Sequence, residues 1–247
     1  MDNDDKQIGE ILNRRDVLKI LGIGSAAALL AACTPEALAT SQAATQAETT
    51  SSALPACVVR PELTEGPYFV DEMLNRSDIR TDPSDGSIRE GAQLNLAFNV
   101  SQVGSNGCTP LSGAQVDIWH CDAAGIYSDS RDPGFDTTGK KFLRGYQLTD
   151  SSGLAQFITI YPGWYRGRTV HIHFKIRLNG HEFTSQLFFD DAFTDQVYTQ
   201  EPYSQKGART LRNEGDNIYQ DGGSLLQLNV TPAANGYIAA FDIGLQI

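Results

Sequence analysis

The stretch GRTVHIHFKI, residues 167–176, spends two of the chain's four histidines two residues apart. Read alternately, it puts Thr169, His171, His173 and Lys175 on one side and Val170, Ile172, Phe174 and Ile176 on the other, the period of a half-buried strand. Side chains at i and i+2 of a strand spring from Cα atoms about 6.5–7 Å apart, so two imidazoles can lean onto one metal ion. They can equally decorate a solvated face, and the pair alone does not decide. Two tyrosines stand near them in sequences that read as turns: Tyr127 closes DIWHCDAAGIYSD, and Tyr165 sits in TIYPGWYRGRTVHIH, before His171. Either alone is an ordinary loop aromatic. Arg168, between Tyr165 and the histidines, is on its own a solvated surface arginine.

The elements that must position these residues are short apolar runs broken by Gly, Pro, Asn and Asp: LNLAFNV, AQVDIWH, LAQFITI, TVHIHFKI, FTSQLFF and YIAAFDI. They predict an all-β, antiparallel β-sandwich with long loops over 125–145 and 190–222. Asn179-Gly180 is a two-residue hairpin signal, and such a turn fixes the register. It sets Arg177 opposite Glu182, Lys175 opposite Thr184 and His173 opposite Gln186, so the histidine face acquires an amide. A slip of one residue would turn Gln186 away. No Gly-rich phosphate loop and no Gly-x-Ser-x-Gly elbow occurs, which removes the usual support for nucleotide-binding and serine-hydrolase chemistry.

Taken together, Tyr127, Tyr165, His171 and His173 resemble the active site of the intradiol ring-cleavage dioxygenases, the family of catechol 1,2-dioxygenase and protocatechuate 3,4-dioxygenase. The resemblance runs from ELTEGPYF at 62–69 through VDIWHCDAAGIYSD and FLRGYQLTDSSGLAQFITIYPGWYRGRTVHIHFKI to SQLFFDD. It continues weakly to GYIAAFDIG. It implies a non-haem Fe(III) held by Tyr127, Tyr165, His171 and His173, a donor set of hard phenolates and imidazoles that suits an oxidised iron. It also implies a catechol-type substrate that is cleaved with O2 between its two hydroxyl-bearing carbons to a muconate-type dicarboxylic acid. Tyr165 would be the ligand displaced by substrate, taking up a proton. Arg168 would stabilise negative charge developing on the substrate, and Gln186 would line the pocket beside it. Glu65 to Tyr68 match a family segment near the pocket and receive no role. Two other readings compete. One is an exported, non-catalytic transthyretin-like β-sandwich binding module, suggested by GAQVDIW and TDSSGLAQFITIYPGWY. The other is a zinc site built on the His-x-His pair.

The N-terminal residues 1–33 read as an export signal: Arg14 and Arg15 precede an apolar run, Ile20 to Ala32, too short for an ordinary spanning helix. The pair suggests the twin-arginine route, with a Sec route left open. Leu30-Ala31-Ala32-Cys33 resembles the bacterial lipobox, which implies lipidation of Cys33 and a cell-envelope lipoprotein held to the membrane by lipid. Residues 34–56, rich in Ala, Thr, Ser and Gln, read as a flexible tether, and 57–247 as one catalytic domain. The net charge of −11 and pI near 4.7 argue against a nucleic-acid partner. Export permits a disulfide, for which Cys57 and Cys108, each beside turn-rich sequence, are the favoured pair. Cys121, inside a strand-like run, is expected to be a buried free thiol.

Overall fold

A computed structural model describes residues 58–247. The expectations for Arg14, Arg15, Cys33, the tether and Cys57 lie outside the described residues. Among the described residues, no helix is long and apolar enough to cross a membrane.

The strands are β1 (Gln93–Gly104), β2 (Gly107–Pro110), β3 (Gln115–Trp119), β4 (Arg131–Asp132), β5 (Phe135–Asp136), β6 (Arg144–Leu148), β7 (Leu154–Ile160), β8 (His171–Leu178), β9 (His181–Phe188), β10 (Thr231–Ala233) and β11 (Gly236–Leu245). One sheet runs β10-β11-β1-β2, with β7 also paired to β1; the other runs β6-β3-β8-β9. Alternation decides which faces meet. Leu94, Leu96 and Phe98 of β1 are buried between partly exposed neighbours, and Val100 continues the buried face. The Phe98 ring lies 5.4 Å from that of Phe174 on β8, and Phe241 of β11 is also 5.4 Å from Phe174, so the two sheets close on a shared aromatic core. The arrangement is the β-sandwich predicted, with one departure: β1 pairs β11 in parallel.

The Asn179-Gly180 turn has φ of 50° and 83°, the left-handed pair that a type I′ hairpin demands. The register follows as expected, with Arg177 opposite Glu182, Lys175 opposite Thr184 and His173 opposite Gln186. The half-buried character expected of the histidine strand does not follow. His171, His173 and Lys175 are as buried as Ile172, Phe174 and Ile176. The cause is the segment 62–76, which crosses the outer face of the second sheet: Leu63 N–H donates to Thr184 O, Lys175 pairs with Glu65, and Arg177 pairs with Asp71.

The two long loops carry structure of their own. The first holds the β4–β5 hairpin. The second holds α1 (Asp191–Val197), capped by Asp190, several 3-10 turns, and α2 (Asn217–Gln220), capped by Asp216. Cys121 is free and buried, and Cys108 is disulfide-bonded. The favoured partner of Cys108, Cys57, lies outside the described residues.

Candidate metal centre

Strand β8 begins at His171, and its first two outward-facing side chains are the histidine pair. The His171 ring is oriented from behind, since Nδ1–H donates to Thr169 O at 2.7 Å. That bond fixes the tautomer and leaves a lone pair on Nε2. The Nε2 atoms of His171 and His173 are 2.9 Å apart, and the Tyr127 hydroxyl is 3.1 Å from His171 Nε2. Burial lowers His171 to about 3, with the Arg168 charge adding to the shift, and holds His173 well below its ordinary value. Both rings are therefore neutral, the form that binds a metal. His173 stacks on Trp119, ring centroids 5.0 Å apart and planes 7° from parallel, and its Nδ1 is buried without a hydrogen-bond partner. At the Cε1 edge of the same ring, Gly66 has φ of +72°, and a Cβ there would stand 3.0 Å from His173 Cε1.

Tyr127 follows β3 in a turn organised by Asp122, whose carboxylate accepts from the backbone of Ala124 and Ile126 at 3.0 Å. Its carbonyl takes a hydrogen bond from Thr137 Oγ1 at 2.6 Å. Arg144 donates to Ser128 Oγ at 2.8 Å and to Tyr68 O at 2.6 Å, locking the turn to the 62–76 segment. Burial pushes the Tyr127 phenol well above its ordinary value, while Arg168 and Arg144 pull it down. A phenol so placed becomes an anion only against a strong local positive charge, which a bound metal cation supplies.

These donors fit a metal ion. Separations of 2.9 Å between the two Nε2 atoms and 3.1 Å from His171 Nε2 to the Tyr127 hydroxyl bring these donors close enough to share one ion. Among the described residues, no group of three or more His, Cys, Asp or Glu is placed to hold a metal, and the further donor that touches the histidine pair is the Tyr127 phenol. Tyr165 brings its ring to 5.9 Å from that of Tyr127, nearly perpendicular. Its hydroxyl is engaged to one side, donating to Asp132 Oδ2 at 2.9 Å and lying 2.5 Å from the Tyr68 hydroxyl, which also donates to Asp132 at 2.9 Å.

Arg168 is buried, not a surface residue. Its Nε donates to Asp216 Oδ2 at 2.9 Å and its Nη2 to Gln186 Oε1 at 2.7 Å, and Gln186 Nε2 donates to Thr64 O at 2.9 Å. The residues singled out in the sequence thus converge: His171, His173 and Tyr127 touch, Tyr165 packs beside them, and Arg168 and Gln186 are joined. Sequence reasoning missed Tyr68, Asp132, Trp119, Gly66 and Asp216. Gly66 and Tyr68 carried a signal as members of the EGPYF segment, and Trp119 as a member of VDIWHCD.

A family model described as Dioxygenase matches residues 64–205. Among solved structures, an intradiol ring-cleavage dioxygenase from Tetranychus urticae superposes with a TM-score of 0.69 at 33% identity, covering 77% of this chain and 95% of that one. Among curated relatives, a chlorocatechol 1,2-dioxygenase from Pseudomonas putida is 30% identical over 99 residues, 32% of this chain and 36% of the relative. Catechol 1,2-dioxygenase 1 from Acinetobacter lwoffii is 25% identical over 206 residues, 69% of this chain and 60% of the relative. The chain therefore spans only about a third to three fifths of these curated relatives' length. With the model match covering more than half the sequence and the fold shared over 77% of this chain with a solved member, the chain belongs to the intradiol ring-cleavage dioxygenase family.

Proposed function

We propose that this protein is a non-haem Fe(III) intradiol dioxygenase that cleaves a catechol-type ring with O2 to a muconate-type dicarboxylic acid. The observation that carries the reading is the meeting of Tyr127 Oη, His171 Nε2 and His173 Nε2 within 3.1 Å of neighbours, beside a buried arginine. Tyr127, Tyr165, His171 and His173 would hold the iron. When bound, ferric iron supplies a site that takes both catechol oxygens and makes the ring reactive toward O2.

The chain's own residues do the rest. Asp132 and Tyr68 offer the Tyr165 hydroxyl a docking place: a Tyr165 displaced by substrate would take up a proton on Oη and, as a neutral phenol, donate a hydrogen bond to the Asp132 carboxylate. Arg168, oriented by Asp216 and Gln186, places a fixed positive charge where the substrate gathers negative charge, in surroundings from which water is largely excluded. Thr169 keeps His171 in the tautomer that presents Nε2. The relatives named as catechol and chlorocatechol 1,2-dioxygenases support a catechol-type ring.

We further propose export, by the twin-arginine route, and membrane attachment through lipid on Cys33. The test of the catalytic reading is turnover of catechol, protocatechuate and hydroxyquinol by the iron-loaded protein, followed by O2 uptake and identification of the product. A muconate-type diacid from at least one of them is expected. An extradiol aldehyde product, or no uptake with all three, would contradict it.

A further inference from the structure

Segment 190–222 contributes none of the metal donors, yet one of its carboxylates reaches the site. Asp216 is 2% exposed. Its Oδ1 accepts Ile218 N–H at 2.9 Å and Tyr219 N–H at 3.1 Å, capping α2. Its Oδ2 accepts Arg168 Nε–H at 2.9 Å and Thr169 N–H at 2.7 Å. Four donors use the full accepting capacity of the carboxylate. The second pair grips the arginine twice, at its guanidinium and at the peptide that joins it to Thr169. Asn213 Oδ1 reinforces this hold by accepting from Thr169 Oγ1 at 2.6 Å. With Nε committed to Asp216 and one Nη2 hydrogen to Gln186, the head group is fixed in direction while its other N–H groups are not spent on these two bonds.

We propose that Asp216 is a positioning residue of the reaction, holding the Arg168 guanidinium in the direction required by charge that develops on the substrate. The proposal rests on the dioxygenase reading and deepens it. It gives the loop a task in the chemistry beyond packing, because an arginine with only its Gln186 bond would be free to swing about that contact. A misplacement on the order of 1 Å in a charged group can cost about 10²-fold in rate.

Asp216→Asn separates this role from helix capping. The amide keeps one oxygen, which can serve α2 or Arg168 but not both, and its NH2 faces the remaining donors. Asn caps as well as Asp, so the fold is expected to keep the cap and lose the grip. In the full chain, Asp216→Asn should retain the parental iron content and visible colour while kcat falls roughly ten- to a hundredfold, with the catechol KM changed less than about threefold. Introduced into Arg168→Ala, the same substitution should lower kcat by less than about twofold, because it acts through the arginine. Should Asp216→Asn not fold, Asp216→Ser, whose hydroxyl also caps, takes its place in the same cycle. A variant with near-parental kcat, or one with the same loss in both backgrounds, would overturn the proposal. An active parent beside an indifferent Asp216→Asn overturns this proposal alone, whereas a parent that turns over no catechol overturns the dioxygenase reading as well.

Discussion

Gly66→Ala is a small substitution with two separable consequences. The first is in the backbone. Gly66 has φ of +72°, and a residue bearing Cβ pays roughly 1–2 kcal/mol in that region. For a domain of this size, that lowers Tm by roughly 2–8 °C. The second is at the site. The new methyl would stand 3.0 Å from His173 Cε1, closer than the ordinary carbon contact of about 3.5–4.0 Å, so the ring must give by a few tenths of an ångström. The approach is at the Cε1 edge of the ring, since Nε2 and Nδ1 are 3.7 and 3.8 Å from the added Cβ, so the push lies close to the ring's own plane and shifts its Nε2. Disturbing what orients a metal ligand typically costs about 10- to 100-fold in affinity. Gly86→Ala is the control: its φ is +76°, but nothing lies within 4 Å of the added Cβ. Both variants should lose similar stability in thermal unfolding of the metal-free protein, while only Gly66→Ala should bind iron more weakly in competition with a chelator. Equal iron affinity in Gly66→Ala, Gly86→Ala and the parent would refute the claim that Gly66 is kept small by His173.

Three other outcomes are expected. Arg168→Ala should retain iron and colour while kcat falls about 10²–10³-fold, measured by O2 uptake under saturating catechol; turnover near the parental rate would remove the arginine from the chemistry. His120 is fully buried between Cys121 O and Thr159 Oγ1, and burial lowers it to about 4 from 6.5. A base with a depressed folded value binds its proton mainly when unfolded, so its contribution is complete above pH 6.5 and is lost as pH falls toward 4. Urea unfolding at pH 7 and pH 5 should therefore show a smaller loss on acidification in His120→Gln than in the parent, and equal losses would contradict this. Cys33→Ala should move the protein from the membrane fraction to the soluble fraction, and unchanged fractionation would mean that something other than lipid on Cys33 holds it there.

Much of the fold was legible because its signals are local. Alternation marked the strands, and Asn179-Gly180 fixed a register that put Gln186 opposite His173. The histidine pair was visible because neighbours on a strand face are neighbours in sequence. Burial of that face was not, since it depends on a segment about a hundred residues earlier that has no periodicity of its own. The partners of Tyr68, Asp132 and Asp216 were hidden for the same reason. Tyr68 and Tyr165 meet across 97 residues, and Arg168 and Asp216 across 48. An aspartate in a loop announces a turn or a cap, and Asp216 is indeed a cap; nothing in its local sequence says that its second oxygen faces an arginine. The parallel pairing of β1 with β11 was missed because alternation reports faces, not strand direction.

The central claim is that Tyr127, Tyr165, His171 and His173 hold a ferric ion through phenolates. Iron analysis of the purified protein, taken together with its visible spectrum, tests this most directly. About one iron per chain should accompany a broad visible absorption from tyrosinate-to-iron charge transfer, and His173→Ala should lose the metal and the colour together. A colourless parent that stays colourless and inactive after iron loading, or one that holds zinc in preference to iron, would contradict it.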